Sequence, residues 1–414
     1  MKILWITNVA LPDVCKDLNV RVSPFGGWLT GYLNEILNNV TCLVSVFPFS
    51  KTVKGSSGSI TYYGFKLKGN KKELLNYFSD IIDKEKPDVI HIFGTEYTHS
   101  NLMMKAAKER GMLRNTVVSI QGLVSVIANH YFAYLPRKVI YGFTLKEVLK
   151  RNNVKLSAEK FKEQGVLEVE TLKEVKNVIG RTDWDEACVK QINPNINYYF
   201  CNESLRESFY DKEWNLENCE KHSIFVSQAS YPIKGFHLML EGFKEIVKKY
   251  PDAKLYTTGK NPLTLKGVDR LKRGFYSKYL GKLIKKYKLE NNVEFLGFLS
   301  EEKMVERMLK SHVFVSPSSI ENSPNSVGEA MLLGVPTVSG DVGGVKNMLT
   351  HGKEGFIYPA DEPYMIEYYV SKIFENNNKA QEVSENAKEH AKITHSRELN
   401  GKTLFNIYSE IITV

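Results

Sequence analysis

"SPSSIENSPNSVGEAMLLGVPTVSGDVGG" (Ser316–Gly344) is the stretch whose reading decides the fold. It continues "HVFVS", whose alternating apolar positions read as a strand. Ser323 is placed to cap the helix that follows, and Pro324 suits the first helical position. Gly334 and Pro336 end that helix. One short helix, Pro324–Leu333, is therefore expected at the carboxyl end of a strand. Open α/β sheets bind ligands along that edge. The first turn of such a helix offers unpaired N–H groups and a partial positive charge, which suit a phosphate.

Helical spacing gathers Val327, Ala330, Met331 and Gly334 on one small apolar face. Glu329 falls opposite, beside Asn325, Leu332 and Leu333. Two leucines do not belong on a plain solvent face, so both sides of the helix should be covered. A covered carboxylate needs a partner. A second one, Glu321, stands eight positions upstream. A carboxylate accepts two hydrogen bonds from a vicinal diol, so sugar hydroxyls are one suitable partner. A nearby lysine or a wet edge would serve Glu329 equally well.

Working outward, strands alternate with helices in two sets. "KILWITNVA", "TCLVSVFPF", "PDVIHIFG" and "NTVVSIQG" read as strands of the first set. "GGWLTGYLNEILNN", "KKELLNYFSDIIDKEK" and "LMMKAAKERG" read as its helices. Residues 124–176 are less regular. The pattern restarts near Cys219 with "HSIFVSQAS", "KGFHLMLEGFKEIVKKYP", "AKLYTTGKNP" and their successors. Two βαβ sets in tandem predict an α/β protein of two doubly wound, Rossmann-like domains facing across a cleft. The expected division is 1–205, 206–392 and a last helical segment, 393–414, packing back on the first domain.

A chain of 414 residues with 43% hydrophobic content is large enough for two such cores. "MKILWITNVALP" reads as a first strand rather than a signal peptide, and no apolar run is long enough to span a membrane. Five scattered cysteines without metal-ligand spacing fit a reducing cytoplasm. The net charge of +9 fits an anionic ligand, an anionic membrane surface or simple solubility. Nucleic-acid-binding signatures are missing, so nucleic acid is not an expected partner.

The stretch from Glu321 resembles the E-x7-E segment of the retaining, nucleotide-sugar-dependent glycosyltransferases of the GT-B fold, family 4 (glycosyl transferases group 1). The resemblance runs from "YPIKG" to "PADE" and includes "EAMLLGVP" and "DVGG…HGKEGFIYPADE" in order. It implies metal-independent transfer of a hexosyl or other sugar, with retention, from a UDP- or GDP-sugar to an acceptor hydroxyl. No other cofactor is implied. Glu321 would orient the transferred sugar, and Glu329 would hold the ribose diol. Amides around Ser323, Asn325 and Ser326 would face the diphosphate. Lys234, in "YPIKGF", would neutralise the leaving diphosphate; a solvated lysine at a helix start is the bland reading. The family usually carries an arginine where this chain has Gln228 or Ala229. Gln228 then falls on the donor side, and Lys260 and Arg181 are the candidate replacements for that cation. Leu296 and Phe298 would contact the base.

In the first domain, Gly26 and Gly27 open a helix and would let backbone approach the donor, although such a pair often marks only a turn. Glu96 and Gln121 end strands and are the acceptor-side candidates, Glu96 also as a catalytic group. A water-exposed loop carboxylate is the alternative for Glu96, and His91 reads as a core histidine. Asp183 and Asp185 form an Asp-x-Asp pattern, read here as helix capping rather than a metal site. "NHYFAYLPRKVIYGF" interleaves aromatic and basic residues. It suits a membrane interface, a wall of the acceptor cleft or a helical core segment. A lipid-linked glycan at the inner membrane face, in assembly of a capsule, lipopolysaccharide or other surface polysaccharide, is the expected acceptor. A nucleotide-sugar 2-epimerase of the same fold, or a non-catalytic glycan- or nucleotide-binding protein, would satisfy the same motifs.

Overall fold

The computed structural model describes residues 1–23, 26–67, 69–264 and 273–413. The chain divides into two compact units. The first comprises Met1–Val126, Lys162–Arg206 and Thr394–Val414, the second Ile127–Phe161 and Glu207–Ile393.

An eight-stranded sheet forms the first unit. Its strands run in the order Val53–Ser57 (β3), Ile60–Lys66 (β4), Cys42–Phe49 (β2), Lys2–Ile6 (β1), Val89–Phe93 (β5), Thr116–Ser119 (β6), Asn177–Gly180 (β7) and Asn197–Phe200 (β8). All neighbours are parallel except the β3–β4 hairpin. The central strands bury nearly every side chain, as "KILWI" and "VIHIF" do, because helices cover both faces. The order turns outward in opposite directions from β1 and β5, so the switch point lies between them. The last helix, Arg397–Thr413, packs on the helix Gly27–Asn39 within this unit. Its buried Tyr408 hydroxyl accepts from Trp5 Nε1 at 2.9 Å and bonds His91 Nδ1. His91 is a fully buried core residue, and burial pushes its pKa down to about 3.

The second unit holds six parallel strands. Their order is Val293–Phe295 (β11), Lys254–Thr257 (β10), Glu220–Val226 (β9), Ser311–Ser316 (β12), Thr337–Asp341 (β13) and Phe356–Pro359 (β14). Here the switch point lies between β9 and β12.

The irregular interval contains more helix than its pattern suggests. Short helical pieces lead into a 21-residue helix, Val154–Glu174, and the division between the units falls within it. Part of the aromatic-basic segment is core: Tyr131, Ala133, Leu135, Val139 and Ile140 are buried, and the Ala133 carbonyl accepts from His237 Nε2 at 2.6 Å.

Candidate functional site

The key helix spans Asn325–Leu333, and every residue from Val327 to Leu333 is buried, so it is covered on both sides. Its start differs from the sequence reading. Pro324, in extended backbone, is the N-cap, and no side chain caps the first turn. Ser323 is not the cap; its hydroxyl donates to Met348 Sδ at 3.3 Å. Within this first turn the Val327 N–H donates to the Pro324 carbonyl at 2.9 Å. Gly334 closes the helix in the left-handed conformation, at φ 79°.

Two glycines bring the strand-end loops together. A Cβ at Gly235 (φ +66°) would lie 1.7 Å from the Pro317 carbonyl oxygen. One at Gly343 (φ +50°) would lie 1.8 Å from the Glu321 carbonyl oxygen. Only glycine permits both the left-handed backbone and these approaches. Gly235 thus lets the loop after β9 press against the loop after β12, across the switch point, and Gly343 lets the loop after β13 press against that same loop.

Lys234 and Glu321 meet there. Lys234 Nζ lies 2.5 Å from Glu321 Oε1, and the Ser318 hydroxyl donates to the same oxygen at 2.7 Å. Both side chains are largely buried. Burial works against the Lys234 charge, but Glu321 and Tyr231 outweigh it and hold the ammonium above its ordinary pKa. A cation, a carboxylate and an uncapped helix start therefore share the end of one sheet. Glu329 sits in the same helix and is 5% exposed.

Beside this cluster, a cavity of about 320 Å³ opens at the carboxyl ends of β9, β10 and β11. Ala229, one of the two positions where the resemblance puts an arginine, lines it, and so do Lys260 and Arg273. Arg273 Nη1 donates to the Pro262 carbonyl, while its buried Nε has no hydrogen-bond partner among the described residues. No motif pointed to Arg273. Arg181, the other candidate cation, belongs to the first unit and is committed to Glu203 at 2.8 Å. Gly297 (φ +74°) bridges Gly259, and the next residue, Phe298, is 83% exposed. Leu296 donates its N–H to the Thr257 carbonyl at 2.9 Å. Gln228 follows β9 in the loop that leads to Lys234.

In the first unit, Glu96 follows β5 at the switch point. It is not a water-exposed loop carboxylate. Burial, assisted by the Glu168 carboxylate, pushes its pKa up to about 7, and its Oε2 has no hydrogen-bond partner among the described residues. Glu168, which sequence reading missed because it lies in the irregular interval, accepts from the Thr95 hydroxyl at 2.7 Å and the Ser125 N–H at 2.9 Å. Gln121 donates to Glu203 Oε1 at 2.7 Å, so Glu203 ties Gln121 to Arg181. Gly27 opens its helix against the Arg206 stem, and Gly26 packs near Val9. Asp185 is a buried structural residue: it accepts from the Arg181 N–H and the Tyr198 hydroxyl, and its own N–H donates to Thr182.

Residues 207–390, a little under half the chain, match the family model described as "Glycosyl transferases group 1". The second unit thus carries a group 1 glycosyltransferase domain on a Rossmann-like sheet. Among particular relatives, the putative glycosyltransferase YtcC of Bacillus subtilis is 24% identical over 206 residues, covering 49% of this chain and 48% of that protein. The chain thus spans about half the length of this curated relative. Sucrose-phosphate synthase from Thermosynechococcus elongatus superposes with a TM-score of 0.68 at 14% identity, covering 100% of this chain and 99% of the other. Anabaena HepE in complex with UDP-glucose gives 0.67 at 16% identity, over 99% and 100%. At these identities the likeness is one of fold: two Rossmann-like domains shared with GT-B glycosyltransferases.

Proposed function

We propose that this protein is a retaining, family 4 glycosyltransferase that moves a sugar from a nucleoside diphosphate, UDP or GDP, to an acceptor hydroxyl. The observation that carries the reading is the Lys234–Glu321 contact at the β9/β12 switch point, beside the uncapped start of the Glu329 helix. Breaking a glycosyl–phosphate bond leaves negative charge on the diphosphate. Lys234 is the fixed cation for that charge, and the amides of Ser323, Asn325 and Ser326 add a partial positive field. Glu321 orients the sugar hydroxyls, and Glu329 accepts from the ribose diol. Leu296, Phe298 and the neighbouring cavity receive the base, with Gln228 at the cavity's β9 side and Gly26 and Gly27 contributing backbone to the donor. Lys260 and Arg273 stand in for the missing arginine. Glu96 and Gln121 face the acceptor, and a neutral or half-ionised Glu96 can exchange a proton with its hydroxyl near neutral pH. The reaction needs no metal or other cofactor on this reading. The acceptor is a lipid-linked glycan at the cytoplasmic face of the membrane, as in surface polysaccharide assembly.

Thermal-shift titration with UDP, GDP and their sugars tests the donor half. A ligand that binds the folded state raises the melting temperature by mass action. One diphosphate series should do so, with no effect of EDTA, and Glu329→Ala should abolish the shift. If no nucleotide shifts the transition, the donor site is wrong. Release of the diphosphate only when an acceptor glycan is present separates transfer from epimerisation.

A further inference from the structure

Residues 137–160 carry seven cations and two carboxylates, a large part of the chain's +9. Only one carboxylate, Glu159, offsets part of the outward charge. Glu147 is buried: its Oε2 accepts from the Thr144 N–H at 2.8 Å and its Oε1 from the Phe275 N–H at 2.9 Å. Glu159 is paired with Lys155 at 3.4 Å. Between the cations, apolar side chains stand in solvent. Leu145 and Leu149, one turn apart on the helix Leu145–Lys150, are each 78% exposed, with Phe143 at 63%. Tyr141 and Val148 are exposed beside them. Arg137, Lys138, Lys150 and Arg151, which flank these residues in the chain, are exposed as well. The helix Arg137–Ile140 packs against the helix Phe275–Lys286.

A soluble surface does not ordinarily leave neighbouring leucines and aromatics uncovered together. Exposed apolar side chains interleaved with exposed cations fit the boundary of an anionic bilayer, where the apolar groups enter the acyl edge and the cations meet lipid phosphates. We propose that residues 137–151 form a docking face for anionic lipid. The face is fastened to the donor cavity, because Glu147 holds Phe275 next to Arg273 and Gly274, which line it. The inference deepens the lipid-linked acceptor reading and rests on it for what is met at the membrane.

The test is co-sedimentation of the full chain with vesicles of equal parts phosphatidylglycerol and phosphatidylcholine, against phosphatidylcholine alone. The protein should bind the first and not the second, and added salt should weaken binding. Leu145→Asp with Leu149→Asp, and separately Arg137→Glu with Lys138→Glu, Lys150→Glu and Arg151→Glu, should each lower partitioning at least about tenfold. Both variants should keep the thermal shift given by UDP or GDP, which shows that they are folded. Unchanged binding by the variants, or no binding by the unaltered protein, overturns the proposal. So does a change in solution mass on losing the leucines, which would make the face a contact between copies. Vesicle binding without a nucleotide shift would sink the donor-site reading and leave the lipid face standing; a nucleotide shift without vesicle binding does the reverse.

Discussion

At the residue scale, Lys234, Glu321 and Glu96 carry charge into places where burial opposes it. Lys234 and Glu321 resolve that conflict by pairing. Removing one leaves the other partly buried and uncompensated, so Lys234→Ala should cost about 1–3 kcal/mol of stability as well as most donor affinity. Denaturant unfolding alongside nucleotide titration would show both. Glu96 behaves differently. Its folded pKa, about 7, lies above the ordinary value of 4.5. The protonated form is favoured by folding, so its stabilising contribution is complete below about pH 4.5 and is lost as pH rises through about 7. Glu96→Gln should flatten that part of the stability profile, by about 1–3 kcal/mol between the two ends. An unchanged profile would place the Glu96 carboxyl in water.

At the element scale, the site depends on how closely the loops after β9 and β12 approach. Gly235 sets that distance, and Gly343, after β13, sets the approach of its own loop to Glu321. Gly235→Ala adds left-handed strain and an overlap with the backbone of Pro317, a cost of about 2–5 kcal/mol that shows as a lowered melting temperature. By contrast, a Cβ at Gly58, also left-handed, meets nothing within 4 Å. Gly58→Ala should cost only the strain, about 1–2 kcal/mol. Equal losses at the two positions would show that the close approach is not what matters at Gly235.

For the molecule as a whole, the first unit is assembled from three separated stretches of chain. The final stretch is held through Tyr408, whose hydroxyl serves both Trp5 and His91 in a dry interior. Tyr408→Phe strands the Trp5 N–H and should lower stability by about 1–3 kcal/mol, measurable by denaturant unfolding.

The βαβ alternation, the helix after β12, the Glu321/Glu329 spacing and the burial of both faces of that helix could be read in the sequence, because hydrophobic period and helix-stop residues are local properties. The same local rules misplaced the N-cap, because Ser323 turns to Met348, a partner 25 positions away. They missed the helix Val154–Glu174, within which the division between the two units falls. Arg273, Glu168 and Glu203 carried no motif, since each acquires meaning only from neighbours far along the chain. The sequence by itself determined two Rossmann-like sheets and which strand end bears the carboxylates, because those depend on residues within a few turns of one another. Tertiary structure alone decided that Lys234 meets Glu321, that Arg181 is occupied by Glu203, and that Leu145 and Leu149 remain uncovered. Each depends on which loops the strand order brings side by side, and strand order is settled by packing.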